Sequence, residues 1–226
     1  VIQPGAWLEL INKGIIEQSV REVSRLDTTK MESMEANTLS QIQSNALQSI
    51  HQSFSQHDIT LLHGVTSSGK TEIYIHLINH YLQQGKQVLY LLPEIALTTQ
   101  ITTRLRKHFG NRLGIYHSKF SDAERVEVWN NLLHHTGFEV ILGVRSSIFL
   151  PFNALGLIIV DEEHENSFKQ FDPAPRYHAR DAAMMLARQH GAKVLLGTAT
   201  PSMESYFNVR NNRYGLVELH TRHEGI

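Results

Sequence analysis

Apolar residues fall along this chain in two rhythms, and the alternation between them predicts its elements. Short unbroken runs such as Val88-Leu89-Tyr90-Leu91-Leu92 and Leu157-Ile158-Ile159-Val160 read as strands buried on both faces. Between them lie longer stretches with apolar residues three and four apart. Ser40 to Phe54, with Ile42, Ala46, Leu47 and Ile50, has that helical period. The pattern predicts strands at 59–62, 87–92, 113–116, 138–142, 155–160, 193–196 and 215–219. It predicts helices at 40–54, 71–84, 97–108, 121–135, 178–190 and 202–210. Regular alternation of the two from Leu39 onward predicts an α/β fold, a parallel β-sheet flanked by helices. Functional loops are then expected at the carboxyl ends of the strands.

The amino-terminal part reads differently. Ala6 to Asn12 predicts a short helix stopped near Gly14, and Ile15 to Val23 alternates like a strand. Asp27 to Asn37 is polar without a period and reads as a linker. Residues 1–36 are therefore expected to be the end of a preceding winged-helix-like domain and its linker, and 37–226 a single α/β lobe.

Composition narrows the function classes. A length of 226 residues suits one large domain or one domain with an appendage, and 41% hydrophobic residues can build its core. Cysteine is absent, which excludes disulfides and thiolate metal sites. No apolar run has the length of a membrane span, and the first residues lack the charged start of a secretory signal. The expectation is a cytoplasmic protein. Lys and Arg number 21 against 22 Asp and Glu, so bulk charge does not mark a nucleic-acid binder. Any such contact must come from local placement. The 14 His include no spacing that supports a metal site.

The chemistry is concentrated in a few loops. Gly64-Val65-Thr66-Ser67-Ser68-Gly69-Lys70-Thr71 fits G-x-x-x-x-G-K-[ST], with the predicted strand Ile59 to Leu62 before it and the predicted helix from Glu72 after it. In that context the main-chain N–H groups at the helix start cradle phosphates. Lys70 is placed to reach the β- and γ-phosphates, and the Thr71 hydroxyl to hold Mg²⁺. A second constellation follows the strand Leu157 to Val160, which runs into Asp161-Glu162-Glu163-His164. Asp161 can hold Mg²⁺ opposite Thr71, and Glu162 can orient or deprotonate an attacking water.

Read as G-x-T-x-S-G-K-T and D-E-E-H, the two motifs resemble the superfamily 2 helicases. Three more segments strengthen the likeness: Leu92-Pro93-Glu94-Ile95-Ala96-Leu97-Thr98 as motif Ia, Gly143 to Pro151 as motif Ib, and Gly197-Thr198-Ala199-Thr200-Pro201-Ser202 as motif III. With Tyr177-His178-Ala179-Arg180-Asp181 after the acidic box, the set is similar to the PriA-type primosomal replication-restart helicases over roughly Leu39 to His220. The resemblance implies a RecA-like P-loop NTPase lobe, ATP and Mg²⁺ as cofactors, and single-stranded and forked DNA as partners. It also implies primosome and single-strand-binding proteins as partners, and places the family's zinc-binding cysteines in a region beyond this chain. It places Gln43 in the adenine-reading segment, where the competing reading is an exposed glutamine at a helix start.

The remaining loops have physical readings of their own. Thr98 opens a helix and can hold a DNA phosphate or serve only as a cap. Arg145 with Ser146 suits a phosphate contact, against a plain surface arginine. Phe168, Lys169, Phe171, Arg176 and Tyr177 interleave aromatic and basic groups, which suits stacking on single-stranded bases. The alternative is a loop pinned by buried Phe rings. The resemblance makes this loop the link between DNA occupancy and hydrolysis, and gives Thr198 and Thr200 the coupling of nucleotide state to lobe movement. Their hydroxyls are expected to bond to the acidic box.

The motor of that family needs a second lobe carrying an arginine finger, for which this chain has no room after its first. Weak ATP binding and little or no hydrolysis are therefore expected of the chain alone. Two alternatives stay open: another kind of superfamily 2 translocase, or a nucleotide-gated DNA-binding module.

Overall fold

The computed structural model describes residues 10–15, 17, 34, 36–118, 120–134 and 136–220. Leu10–Asn12 are helical, as expected for the end of the first helix. Of the strand expected over 15–23 only residues 15 and 17 are described, Ile15 as a bend whose N–H donates to the Leu10 carbonyl at 3.0 Å, and most of the linker expected over 27–37 falls outside the described residues. Met34 and Ala36 do not stand apart from the lobe. The Met34 N–H donates to the Lys107 carbonyl at 2.7 Å, and Ala36 packs against the core.

The lobe alternates α1 (Gln41–Gln56), β1 (Ile59–Gly64), α2 (Lys70–Gln83), β2 (Gln87–Leu91), α3 (Thr99–Phe109), β3 (Leu113–Tyr116), α4 (Asp122–Leu133), β4 (Val140–Gly143), β5 (Leu155–Asp161), α5 (Ala179–His190), β6 (Lys193–Thr198), α6 (Met203–Arg210) and β7 (Gly215–Leu219). The strands form one seven-stranded sheet in the order β3-β4-β2-β5-β6-β1-β7. Every pairing in it is parallel.

Each central strand feeds two cores because successive side chains alternate across the sheet. Val88, Tyr90, Leu157, Ile159 and Leu195 face one layer, with α1, α2 and α3. Leu89, Leu91, Ile158, Val160, Val194 and Leu196 face the other, with α4 and α5. This two-sided burial is why those strands lack polar positions in the sequence. The edge strand β7 is the contrast: its residues alternate buried and exposed.

Helix starts carry their own signals. Ser40 and Ser121 each form a capping box, with Gln43 and Glu124 as the reciprocal residues, and Thr98 and Ser202 cap α3 and α6 with their hydroxyls. Helices α2 and α5 differ, since their N-caps are Gly69 and His178 and no side chain caps either.

The order of strands places the functional loops. β6 lies between β1 and β5, so the loops after β1, β6 and β5 emerge side by side along one edge. Those loops hold the phosphate motif, motif III and the acidic box.

Candidate functional site

The loop after β1 is built to receive an anion. Ser67 and Gly69 lie in the left-handed region, with φ of 63° and 79°. Left-handed residues in so tight a turn aim successive N–H groups into one concavity. Glycine is favoured at 69 because it adopts this conformation without the strain a side chain adds. The turn is closed by Ser68 N–H donating to the Val65 carbonyl at 3.1 Å. The ammonium of Lys70 folds back over it, donating to the Gly64 carbonyl at 2.9 Å.

Two polar groups in this loop have no use within it. The Ser68 hydroxyl is buried without a hydrogen-bond partner, and the first turn of α2 lacks a capping side chain. Buried polar groups are ordinarily satisfied, so both fit a phosphate ligand. Thr66 and Ser67 are exposed at the mouth, and Thr71 is half-buried in the first turn of α2.

Gln43 is buried rather than exposed, which corrects the plainer reading of it. Its Oε1 accepts from Ser40 N–H at 2.9 Å, and its amide donates to the Gly69 carbonyl at 3.4 Å. A carboxamide can make about four hydrogen bonds. One donor and one acceptor site remain beside the phosphate loop, the pair an adenine edge requires.

The three carboxylates of the acidic box diverge. Asp161 ends β5 and lies two residues beyond Ile159, so it faces the α2 layer. Burial and the adjacent Glu162 charge push its carboxyl up to about 6, while Tyr74, Tyr90 and Lys70 act to lower it. Glu162 leaves the strand with φ of 50°, a conformation costly for any residue with a Cβ. Its carboxylate lies at the cleft, 3.7 Å from His164 Nδ1. Glu163 turns inward and its side chain is fully buried.

Glu163 is the anchor of the box rather than a reactant. It accepts from Ser202 N–H at 2.7 Å, Ser202 Oγ at 3.0 Å, Ser205 Oγ at 2.9 Å and Arg180 at 2.9 Å. This single carboxylate ties β5 to the start of α6 and to α5. Glu163→Ala removes the buried partner of Arg180, which keeps Asp181 at 3.0 Å and Ser202 Oγ at 2.8 Å, and strips Ser202 and Ser205 of their acceptor, so we expect a loss of about 3 kcal/mol, read from urea denaturation. Glu163→Gln, which keeps the acceptor, should lose less.

The two threonines of motif III bond to the box through His164. His164 Nδ1 lies 2.8 Å from Thr198 Oγ1, and Nε2 lies 3.2 Å from Thr200 Oγ1. The Thr200 N–H also donates to Thr198 Oγ1 at 3.1 Å. Both threonines therefore touch the acidic box, through its histidine rather than its carboxylates.

With this geometry in place, the comparison with known families is direct. Residues 40–209 match the DEAD/DEAH box helicases. The chain belongs to that family. Among curated relatives it is 40% identical over 217 residues to the replication restart protein PriA of Bacillus subtilis, which covers 94% of this chain and 27% of that protein. It is 46% identical over 187 residues to the PriA of Chlamydia trachomatis serovar D, covering 82% of this chain and 25% of the relative. The chain thus spans about a quarter of the length of these relatives. Its fold is similar to that of RecG bound to a three-way DNA junction, with a TM-score of 0.60 at 20% identity over 84% of this chain and 25% of that one. It is also similar to the Pyrococcus furiosus Hef helicase domain, with a TM-score of 0.55 at 20% identity over 77% of this chain and 38% of that one. The lobe is a RecA-like helicase lobe.

The helicase motifs Ia and Ib and the aromatic loop follow strand ends of the same sheet edge. Thr98 is exposed, and its hydroxyl accepts from Ile101 N–H at 3.4 Å, so it is a cap whose own proton remains available. Arg145 and Ser146 are half-buried. Arg145 donates to the Ser167 carbonyl at 3.2 Å, which joins motif Ib to the aromatic loop. A guanidinium has further N–H donors to spare.

The aromatic loop divides its rings between two tasks. Phe168 is 1% exposed and sits in the second core, so the stacking role expected of it is corrected. It anchors the loop. Phe171 is exposed instead, with the Lys169 ammonium 4.8 Å from its ring centroid. Tyr177 meets the exposed ring of Phe149 edge-on at 5.0 Å. Phe149 was not singled out in the sequence. An aromatic residue in the same short loop as Arg145-Ser146-Ser147 was the available signal.

Two further residues were missed, Tyr74 and Tyr90. Both are fully buried, and both donate to Asp161. Their signal was a hydroxyl inside otherwise aliphatic runs, since a buried Tyr needs a partner for its O–H.

Proposed function

We propose that this chain is the ATP-binding motor lobe of an ATP-dependent DNA helicase acting in replication restart. The observation that carries the reading is the joint of three adjacent strand ends. The phosphate loop follows β1, the acidic box follows β5, and the Thr198–His164 contact from β6 connects box and motif III between them. The sequence likeness to replication restart proteins favours this reading over another superfamily 2 translocase or a nucleotide-gated module.

The residues divide the work as follows. Gly64 to Thr71 would bind the triphosphate through main-chain N–H groups, the Ser68 hydroxyl and the Lys70 ammonium. Thr71 and Asp161 would hold Mg²⁺, and Gln43 would read the adenine edge. Bound Mg²⁺–ATP supplies the transferable phosphoryl group and the divalent charge that neutralises it. Glu162 orients the attacking water and accepts its proton. Thr198 and Thr200 pass the state of the box to α6 through His164 and the neighbouring Ser202 cap.

DNA is the macromolecular partner, single-stranded or forked, held by Thr98, Arg145, Ser146, Lys169 and Tyr177, with Phe149 and Phe171 added as stacking surfaces. Primosome and single-strand-binding proteins and a cytoplasmic setting belong to the same proposal. Among the described residues no helix is long and apolar enough to cross a membrane.

Salt tests the DNA surface. With Arg145 and Lys169 each neutralising one phosphate, raising salt from about 50 to 200 mM should weaken single-stranded DNA binding about sevenfold, measured by fluorescence anisotropy. Arg145→Ala should flatten that slope by roughly half. A salt-independent affinity would remove this face from the DNA path.

A further inference from the structure

We infer that Tyr74 and Tyr90 are positioning residues that hold the Asp161 carboxylate in the one orientation able to serve the metal. The inference rests on the nucleotide-site reading above.

The geometry is specific. The Tyr74 hydroxyl donates to Asp161 Oδ1 at 3.0 Å, and the Tyr90 hydroxyl donates to Oδ2 at 3.0 Å. The Glu162 N–H also donates to Oδ1, at 3.2 Å. A carboxylate oxygen accepts about two bonds, so Oδ1 is filled and Oδ2 keeps one site. The two rings brace each other edge-on, with centroids 5.5 Å apart.

Placement in the fold gives the grip its meaning. Tyr74 stands four residues after Lys70 on α2, hence on the same face of that helix. One rigid element thus carries the phosphate-binding ammonium and half of the grip on Asp161. Tyr90 comes from β2, the strand hydrogen-bonded to β5. On the other side, β6 presents Gly197 directly opposite Asp161. A Cβ at Gly197 would lie 1.9 Å from the Tyr74 hydroxyl and 3.1 Å from Asp161 Oδ1. Only glycine leaves room for the hydroxyl, which explains the residue that opens motif III by contact rather than by backbone freedom.

Groups that orient a metal-binding side chain typically contribute about 10–100-fold to metal affinity. In the full-length protein, Tyr74→Phe and Tyr90→Phe should each raise the Mg²⁺ concentration for half-maximal tightening of a fluorescent ATP analogue by about tenfold, and the double variant by more. Binding of the analogue in EDTA should stay within about twofold. Gly197→Ala should reproduce Tyr74→Phe, because it displaces the same hydroxyl. Without any ligand, amide exchange at Glu162 should quicken in Tyr74→Phe, since its N–H bonds to the carboxylate being freed. A double variant that folds and keeps the wild-type Mg²⁺ dependence overturns the inference. If the double variant does not fold, Tyr90→Phe alone decides by the same measure. Lys70→Ala separates the two levels. If it leaves EDTA binding intact, the nucleotide site is wrong. If it weakens that binding while the tyrosine variants keep their Mg²⁺ dependence, only the present inference fails.

Discussion

Lys70→Ala weakens ATP binding by roughly 10–100-fold without unfolding the lobe. The binding loss follows from the chemistry of the contact. A hydrogen bond to a charged group contributes about 1.5–3 kcal/mol, and the ammonium adds charge complementarity to a phosphate held at a helix start. The fold is spared because Lys70 bonds only to carbonyls of its own loop, Gly64 at 2.9 Å and Val65 at 3.5 Å. Alanine is also at least as good a residue for the first turn of α2. Titration with a fluorescent ATP analogue, alongside urea denaturation, separates the two effects. An affinity unchanged in a folded variant would falsify the assignment of the phosphate loop, and with it the roles given to Thr71 and Asp161.

Much of this site was legible in the sequence, and the part that was not has a common cause. The strands could be read because burial on both faces strips them of polar residues, as in Leu157 to Val160. Helix starts could be read because Ser40, Thr98, Ser121 and Ser202 cap them with local hydrogen bonds. The phosphate loop is local too. What spacing could not supply was contact across strands. The placement of β6 between β1 and β5 depends on crossovers that no local pattern encodes.

The three acidic residues show the same limit. In sequence Asp161, Glu162 and Glu163 are equivalent carboxylates. In the fold one faces two tyrosines, one sits in a left-handed turn at the cleft, and one is sealed against Arg180. The aromatic loop repeats the lesson. Phe168 and Phe171 carry the same side chain three residues apart, yet one is core and the other is 61% exposed. The reading that a loop needs anchors held for Phe168, and the reading that it offers rings to bases is left to Phe171 and Tyr177.

Glu162→Gln should lower ATP turnover by about 10²–10⁴-fold in the full-length protein while leaving ATP affinity within about twofold. That range is what a positioned general base contributes. The substitution keeps size and shape, so the effect is confined to the proton as long as the backbone at 162 stays put. It is pinned on both sides. The Glu162 N–H bonds to Asp161 Oδ1 at 3.2 Å, and the next N–H, of Glu163, bonds to the Gly197 carbonyl at 3.1 Å. The buried Glu163 carboxylate then fastens the following turn to α5 and α6. A left-handed non-glycine residue costs about 1–3 kcal/mol and persists only where its surroundings over-determine it. Here they do, and the result is to swing the Glu162 carboxylate out of the strand's alternation toward the cleft. Glutamine would be carried to the same place and could orient water but not take its proton. Single-turnover hydrolysis measured beside equilibrium ATP binding reads the two quantities separately. Wild-type turnover by the glutamine variant would mean that the strain at 162 serves only to turn the chain toward Glu163, and that the proton leaves by another group.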